Sequence, residues 1–201
     1  VISVADQMGW DRFSLIGHSR GAAIAGLIAG TYPDRVAQLA LIDGYVPMPS
    51  EADDAAKQLK RAIRENKRFA NSQPTFFPDF EKAIQARVKG FVPLQQEAAA
   101  LLAKRGVSEG SRGFYWANDQ RLKAASFVKF SKDYLEGFFT SILARVLLIQ
   151  AENSVLSPGR QQNALFEWIR HMDIQKVSGS HHLHLEGEAE DVARLIQKFL
   201  V

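Results

Sequence analysis

Apolar positions along this chain follow two rhythms. Val1, Ile2, Val4, Ala5 and Met8 recur at helical spacing, and Gly9 follows where a left-handed residue can end the turn. The pattern predicts a helix over residues 1–8. A short apolar run, Phe13 to Ile16, then meets a glycine-bracketed turn, and small residues from Ala22 to Ala29 predict a tightly packing helix. Tyr32-Pro33-Asp34-Arg35 stops that helix, because a proline disfavours helical geometry at the residue before it. Val36 to Ile42 is nearly continuous in apolar residues and ends at Asp43-Gly44, as a buried strand would. Strand, helix, strand in this order predicts an α/β fold whose parallel sheet is covered by helices on both faces.

From Pro47 to about Leu143 the rhythm changes to charged stretches of helical period, broken at Pro74, Pro78, Gly90–Pro93 and Gly106–Gly113. So long a segment, rich in helix signals, is no simple loop, and the pattern predicts an inserted helical cap or lid. Strand signals return at Arg145 to Gln150, followed by a helix over about 158–171, a short strand from Ile174 to Val177 and an amphipathic helix from Glu188 to Val201. The expected organisation is a core segment over 1–46, a cap over 47–143 and a second core segment over 144–201.

Composition narrows the class without naming a function. Hydrophobic residues make up 46% of 201, enough for a sizeable core, and nothing points to disorder or a fibre. The net charge of +3 is mild and the cations are interspersed with acids, so neither nucleic acid nor a membrane is the expected partner. The densest basic run, Lys57, Lys60, Arg61, Arg64, Lys67 and Arg68, reads as a solvated helix face beside Glu51, Asp53, Asp54 and Glu65. The absence of cysteine excludes disulfides and thiolate metal sites. No apolar run approaches the ~20 residues that span a bilayer, and the first ten residues lack signal-peptide character, which makes a cytoplasmic location the expectation.

The chemistry-bearing residues stand at the ends of predicted strands. Gly17-His18-Ser19-Arg20-Gly21 fits G-x-S-x-G between an apolar run and a small-residue helix. On such a strained strand-to-helix turn the serine is presented as a nucleophile, and both glycines are expected to relieve crowding. The following helix points its N-terminal dipole at Ser19, and the Arg20 backbone N–H is a candidate oxyanion donor. A serine needs a base. Ser178-Gly179-Ser180-His181-His182-Leu183-His184-Leu185-Glu186 offers three imidazoles after the last strand. His181 is the candidate base and His182 the alternative, with His184 and Glu186 expected to hold the loop by local hydrogen bonds. A metal site there is disfavoured, because Glu186 is the only nearby acid; no metal and no cofactor are expected.

These residues, in the segments LIGHSRG (15–21), LALIDGYVP (39–47), GFYWANDQRL (113–122) and GSHHLHLEGEAEDVARLIQKFL (179–200), resemble the α/β-hydrolase fold superfamily and within it the serine hydrolase-like group. The resemblance covers essentially the whole chain. It implies a serine hydrolase of carboxylesterase type acting on a small-molecule ester, with a helical cap over an eight-stranded sheet. Many members carry the acid in a G-x-x-D turn after the seventh strand, and the matching stretch here is Ala151-Glu152-Asn153-Ser154. Serine stands where that aspartate would be. Asp43 resembles the acid of members that place it after the sixth strand; Glu152, or no working acid, are the alternatives. His18 is expected to shape the pocket, and Phe114, Tyr115 and Trp116 to line an acyl pocket or to anchor the cap. About four further strands and a second oxyanion N–H would precede residue 1, so the N-terminal part of the same fold is an expected partner. The rival reading is a non-catalytic binding protein or remnant. A dehalogenase or epoxide hydrolase would need a carboxylate in place of Ser19.

Overall fold

The computed structural model describes residues 1–44, 46–155 and 166–201. Among these, two compact units are separable, Val1–Pro49 with Phe130–Val201, and Ser50–Lys129. The boundary falls at Lys129 and not at Leu143, because the segment after it feeds the core of the first unit.

The first unit opens with helix α1 (Ile2–Gln7), closed by Gly9 at φ 68°. Strand β1 (Phe13–His18), helix α2 (Arg20–Thr31) and strand β2 (Val36–Ile42) follow. After the second unit come helix α6 (Lys132–Thr140), strands β6 (Arg145–Ala151) and β7 (Met172–Val177), and helix α7 (Ala189–Leu200). The strands form one sheet in the order β1-β2-β6-β7, with every pair parallel. The expected helix over 158–171 lies mostly outside the described residues; its last part contains a single 3-10 turn, Phe166–Trp168.

Alternation along the two central strands assigns their faces. Leu39, Leu41, Val146 and Leu148 pack with Ala22, Ala25 and Ala29 of α2 and with Phe139 of α6. Ala40, Ile42, Leu147 and Ile149 point the other way, against Leu183 and against Val192 and Phe199 of α7. Both faces are therefore buried, which is why β2 and β6 read as almost unbroken apolar runs. The small side chains of α2 let α6 approach closely. β1 lies at one edge of the sheet, with Ile16 exposed.

In the second unit, helices α3 (Ala55–Ala70), α4 (Phe80–Val88) and α5 (Gln96–Gly106) bury mostly alanine, including Ala62, Ala83 and Ala99. Sequence periodicity predicted helices alone here. The structure adds a three-stranded antiparallel sheet in the order β3-β5-β4, built from β3 (Phe76–Phe77), β4 (Val107–Gly110) and β5 (Gly113–Trp116). Strands of two to four residues are too short to display a period of two, so the pattern cannot announce them.

Among the described residues, no helix is long and apolar enough to cross a membrane.

Candidate active site

The register of the parallel sheet brings four strand ends together. His18 pairs with Ile42, Ile42 with Ile149, and Ala151 with Val177. The residues just beyond these ends therefore gather at the carboxyl edge of the sheet, where open α/β sheets place their sites. They are Ser19, Asp43, the turn 152–154 and the loop that carries His181.

Ser19 has φ 55° and ψ −120°, a conformation that non-glycine residues rarely adopt. Its N–H donates to the Ile42 carbonyl at 3.0 Å, and its own carbonyl accepts from Ala22 N–H at 3.0 Å, so strand and helix together hold the strained turn. A Cβ on Gly17 would lie 2.4 Å from the Gly21 carbonyl oxygen, whereas one on Gly21 would meet nothing within 4 Å. Only the first glycine of the motif is sterically required, because the turn folds position 17 onto the backbone of 21 and leaves the 21 side open. Gly44, outside the motif, is a second requirement of the same turn. Its Cβ would lie 2.4 Å from the Ser19 carbonyl oxygen.

Asp43 also adopts positive φ, 35°, and is fully buried. Its N–H extends the ladder by donating to the Ile149 carbonyl at 2.7 Å. An unpaired carboxylate in such a place would cost several kcal/mol, at least about 3, and here three donors surround it. Oδ1 accepts from Ala151 N–H at 3.1 Å. Oδ2 accepts from Ser154 Oγ at 2.5 Å and from His181 Nδ1 at 2.6 Å. A carboxylate only accepts, so Nδ1 carries a proton, and in the neutral imidazole Nε2 keeps its lone pair. Nε2 lies 2.9 Å from Ser19 Oγ. The result is a continuous chain from Ser19 hydroxyl to His181 imidazole to buried Asp43 carboxylate, in which the imidazole can take the serine proton while the carboxylate faces the resulting cation.

The loop after β7 is braced from several sides. Ser180 Oγ donates to Glu186 Oε2 at 2.6 Å, which is the local bond expected of Glu186. His184 does not make the local bond expected of its ring nitrogen: Nδ1 is buried and has no hydrogen-bond partner among the described residues. Burial, then the neighbouring imidazoles His18, His182 and His181, lowers its pKa to about 4. His18 Nε2 donates to the His181 carbonyl at 2.8 Å, and burial is the leading cause that holds His18 below the usual histidine value. The ring of His18 lies 4.7 Å from that of His181 between centroids, so the residue before Ser19 clamps the residue expected to be its base.

The other candidates separate clearly. His182 is buried, its ring 4.9 Å from that of His181, and the chain of bonds from Ser19 to Asp43 passes through His181. Glu152 is exposed and its N–H is tied to the Val177 carbonyl at 3.0 Å. Arg20 is the first residue of α2, in the turn whose N–H groups lack intrahelical acceptors. Tyr115 and Trp116 are strand residues of the second unit. The Trp116 indole N–H donates to the Ala83 carbonyl at 3.0 Å, and the Tyr115 ring packs 5.3 Å from that of Phe76. Among the described residues, no three His, Asp or Glu side chains are grouped so as to hold a metal ion.

The family model described as the alpha/beta hydrolase fold matches residues 3–188. The chain belongs to that family. Within it, the relatives are serine hydrolase-like proteins. One from Danio rerio is 28% identical over 98% of this chain and 63% of its own length. Serine hydrolase-like protein 2 of Homo sapiens is 28% identical over 98% of this chain and 68% of its own. The chain thus spans somewhat under two thirds of the length of the first of these α/β-hydrolase relatives. A solved structure, that of a hypothetical protein from Pseudomonas aeruginosa PAO1, is similar with a TM-score of 0.92 and 37% identity, covering 99% of this chain and 71% of that one.

Proposed function

We propose that this α/β-hydrolase family member is a serine hydrolase of carboxylesterase type, with Ser19 as nucleophile, His181 as general base and Asp43 as the acid that orients it. The observation that carries the reading is the unbroken run of hydrogen bonds from Ser19 Oγ through both ring nitrogens of His181 to Asp43 Oδ2. In the reaction, Ser19 Oγ attacks the carbonyl carbon of a small or medium carboxylic ester as Nε2 takes its proton. The carbonyl electrons move onto oxygen, where the Arg20 N–H at the start of α2 is one donor to the oxyanion. Collapse expels the alcohol, which takes the proton from Nε2, and leaves an acyl ester on Ser19. Water, deprotonated by the same nitrogen, then releases the acid and restores the serine. His18 supports the cycle by holding the loop of the base at its carbonyl. We take the part of the fold N-terminal to β1 as the structural partner that supplies a second oxyanion donor.

The test is hydrolysis of p-nitrophenyl acetate by the intact protein. Turnover well above the Ser19→Ala background is expected. Equal rates in wild type and Ser19→Ala would remove the serine mechanism and favour a non-catalytic binding role.

A further inference from the structure

Asp43 binds its histidine through one oxygen, and that oxygen has a second donor. Ser154 Oγ lies 2.5 Å from Asp43 Oδ2, the atom that also accepts from His181 Nδ1. Ser154 is buried, Asp43 is fully enclosed and His181 nearly so. The turn that carries Ser154 is fixed independently. Glu152 N–H donates to the Val177 carbonyl at 3.0 Å and Asn153 N–H to the Gly179 carbonyl at 3.1 Å, which ties the end of β6 to the loop that presents His181. The hydroxyl is therefore delivered to the carboxylate by a backbone braced against the histidine loop, not by a free side chain.

We infer that Ser154 is a positioning residue for the acid, setting the orientation in which Asp43 meets His181; this rests on the serine hydrolase reading above. A carboxylate with one anchored oxygen still rotates about its Cβ–Cγ bond. Ala151 N–H anchors Oδ1, and Ser154 anchors Oδ2, so both oxygens are held. A carboxylate oxygen has two lone-pair directions in its plane. With Ser154 on one of them, the other is directed at Nδ1, and the imidazole is met by a fixed acceptor. The same hydroxyl satisfies Oδ2 when the histidine ring tilts toward the leaving group, so the buried charge is never left with the imidazole as its only partner on that oxygen.

The experiment is a double-mutant cycle in the intact protein, with p-nitrophenyl acetate turnover and the low-field proton resonance of His181 Nδ1–H as readouts. Ser154→Ala removes a hydrogen bond to a charged group, and kcat is expected to fall by roughly tenfold to a hundredfold with KM within about twofold. Ser154→Thr keeps the hydroxyl and is expected to recover most of the loss. The Nδ1–H resonance moves in Ser154→Ala and returns in Ser154→Thr. In an Asp43→Asn background, Ser154→Ala is expected to change turnover by less than about twofold, because a residue that acts through the acid has nothing left to act on. Losses of the same size in both backgrounds, or a kcat for Ser154→Ala within about twofold of wild type with an unmoved resonance, overturn the inference. Should Ser154→Ala not fold, Ser154→Cys, which retains volume but donates weakly, takes its place in the cycle. Ser19→Ala is run alongside. If it retains turnover, the serine mechanism itself fails; if it loses turnover while position 154 is silent, only the positioning role fails.

Discussion

Replacing Asp43 by asparagine alters one oxygen into an amide nitrogen, and the surroundings leave that nitrogen no good place. If the amide keeps its oxygen on Ala151 N–H, 3.1 Å from Oδ1, its NH2 stands where Oδ2 was and faces His181 Nδ1 at 2.6 Å. Two N–H groups cannot share that distance, so Nδ1 must give up its proton and Nε2 must carry one. An Nε2–H cannot accept from Ser19. If the amide flips, its oxygen meets Nδ1–H, but NH2 then opposes Ala151 N–H, and the positive imidazole still lacks a charge beside it. The flipped orientation also leaves a buried donor unpaired, a stability cost of about 1–3 kcal/mol. In the Ser-His-Asp template the equivalent change lowers kcat by about 10⁴, or about 5.4 kcal/mol of transition-state stabilisation at 1.36 kcal/mol per tenfold. A loss of about three to four orders of magnitude is expected here. The assay is kcat on p-nitrophenyl acetate by the intact protein, with thermal unfolding to verify that the variant is folded, and with Glu152→Gln as the comparison. Glu152 is exposed, and its replacement is expected to cost less than about threefold. An Asp43→Asn enzyme within tenfold of wild type, or a greater loss at Glu152, would refute the assignment of the acid.

Two other expectations concern the histidines. His181→Ala is expected to reduce ester turnover to near the Ser19→Ala level, since nucleophile and base act as a unit, while His182→Ala retains much more; equal losses measured in the same assay would contradict the geometry of the base. His184, with its pKa lowered to about 4 from 6.5, binds a proton in the unfolded chain before it does so in the folded one. Its contribution to stability is therefore fully present above pH 6.5 and is lost as the pH falls from 6.5 toward 4. Melting temperature against pH is expected to fall more steeply over that window in wild type than in His184→Gln; coincident curves would show that this imidazole is not held neutral by its burial.

How far the site could be read in the sequence depends on the range of each interaction. The elbow is local: an apolar run, a glycine two residues before a serine, and a helix of small residues all stand within twenty positions, so Ser19 could be placed from the pattern alone. β2 and β6 announce themselves because burial on both faces removes polar positions from them. Asp43 was a leading candidate because it ends β2, but only the register of β2 with β6 brings it to the loop of His181. Ser154 is the opposite case. Read along the chain, it is a serine in place of an expected aspartate and suggests a loss; in space it lies on the oxygen that the histidine uses, 111 positions from Asp43. The bond from His18 to the His181 carbonyl spans 163 positions and had no local signal either. The requirement at Gly44 had one, the Asp-Gly pair that ends the strand, but the neighbouring elbow that makes it obligatory is 25 positions away in the chain.

Covalent labelling of the intact protein with a fluorophosphonate, followed by peptide mass spectrometry, reads the reactivity of Ser19 itself. A phosphonyl adduct forms only on a serine whose proton is taken by a neighbouring base, and it needs no knowledge of the natural ester. A single adduct per chain is expected on the peptide that contains Ser19, absent in Ser19→Ala and strongly slowed in His181→Ala. Labelling that persists in Ser19→Ala, or that maps to another serine, would contradict Ser19 as the nucleophile.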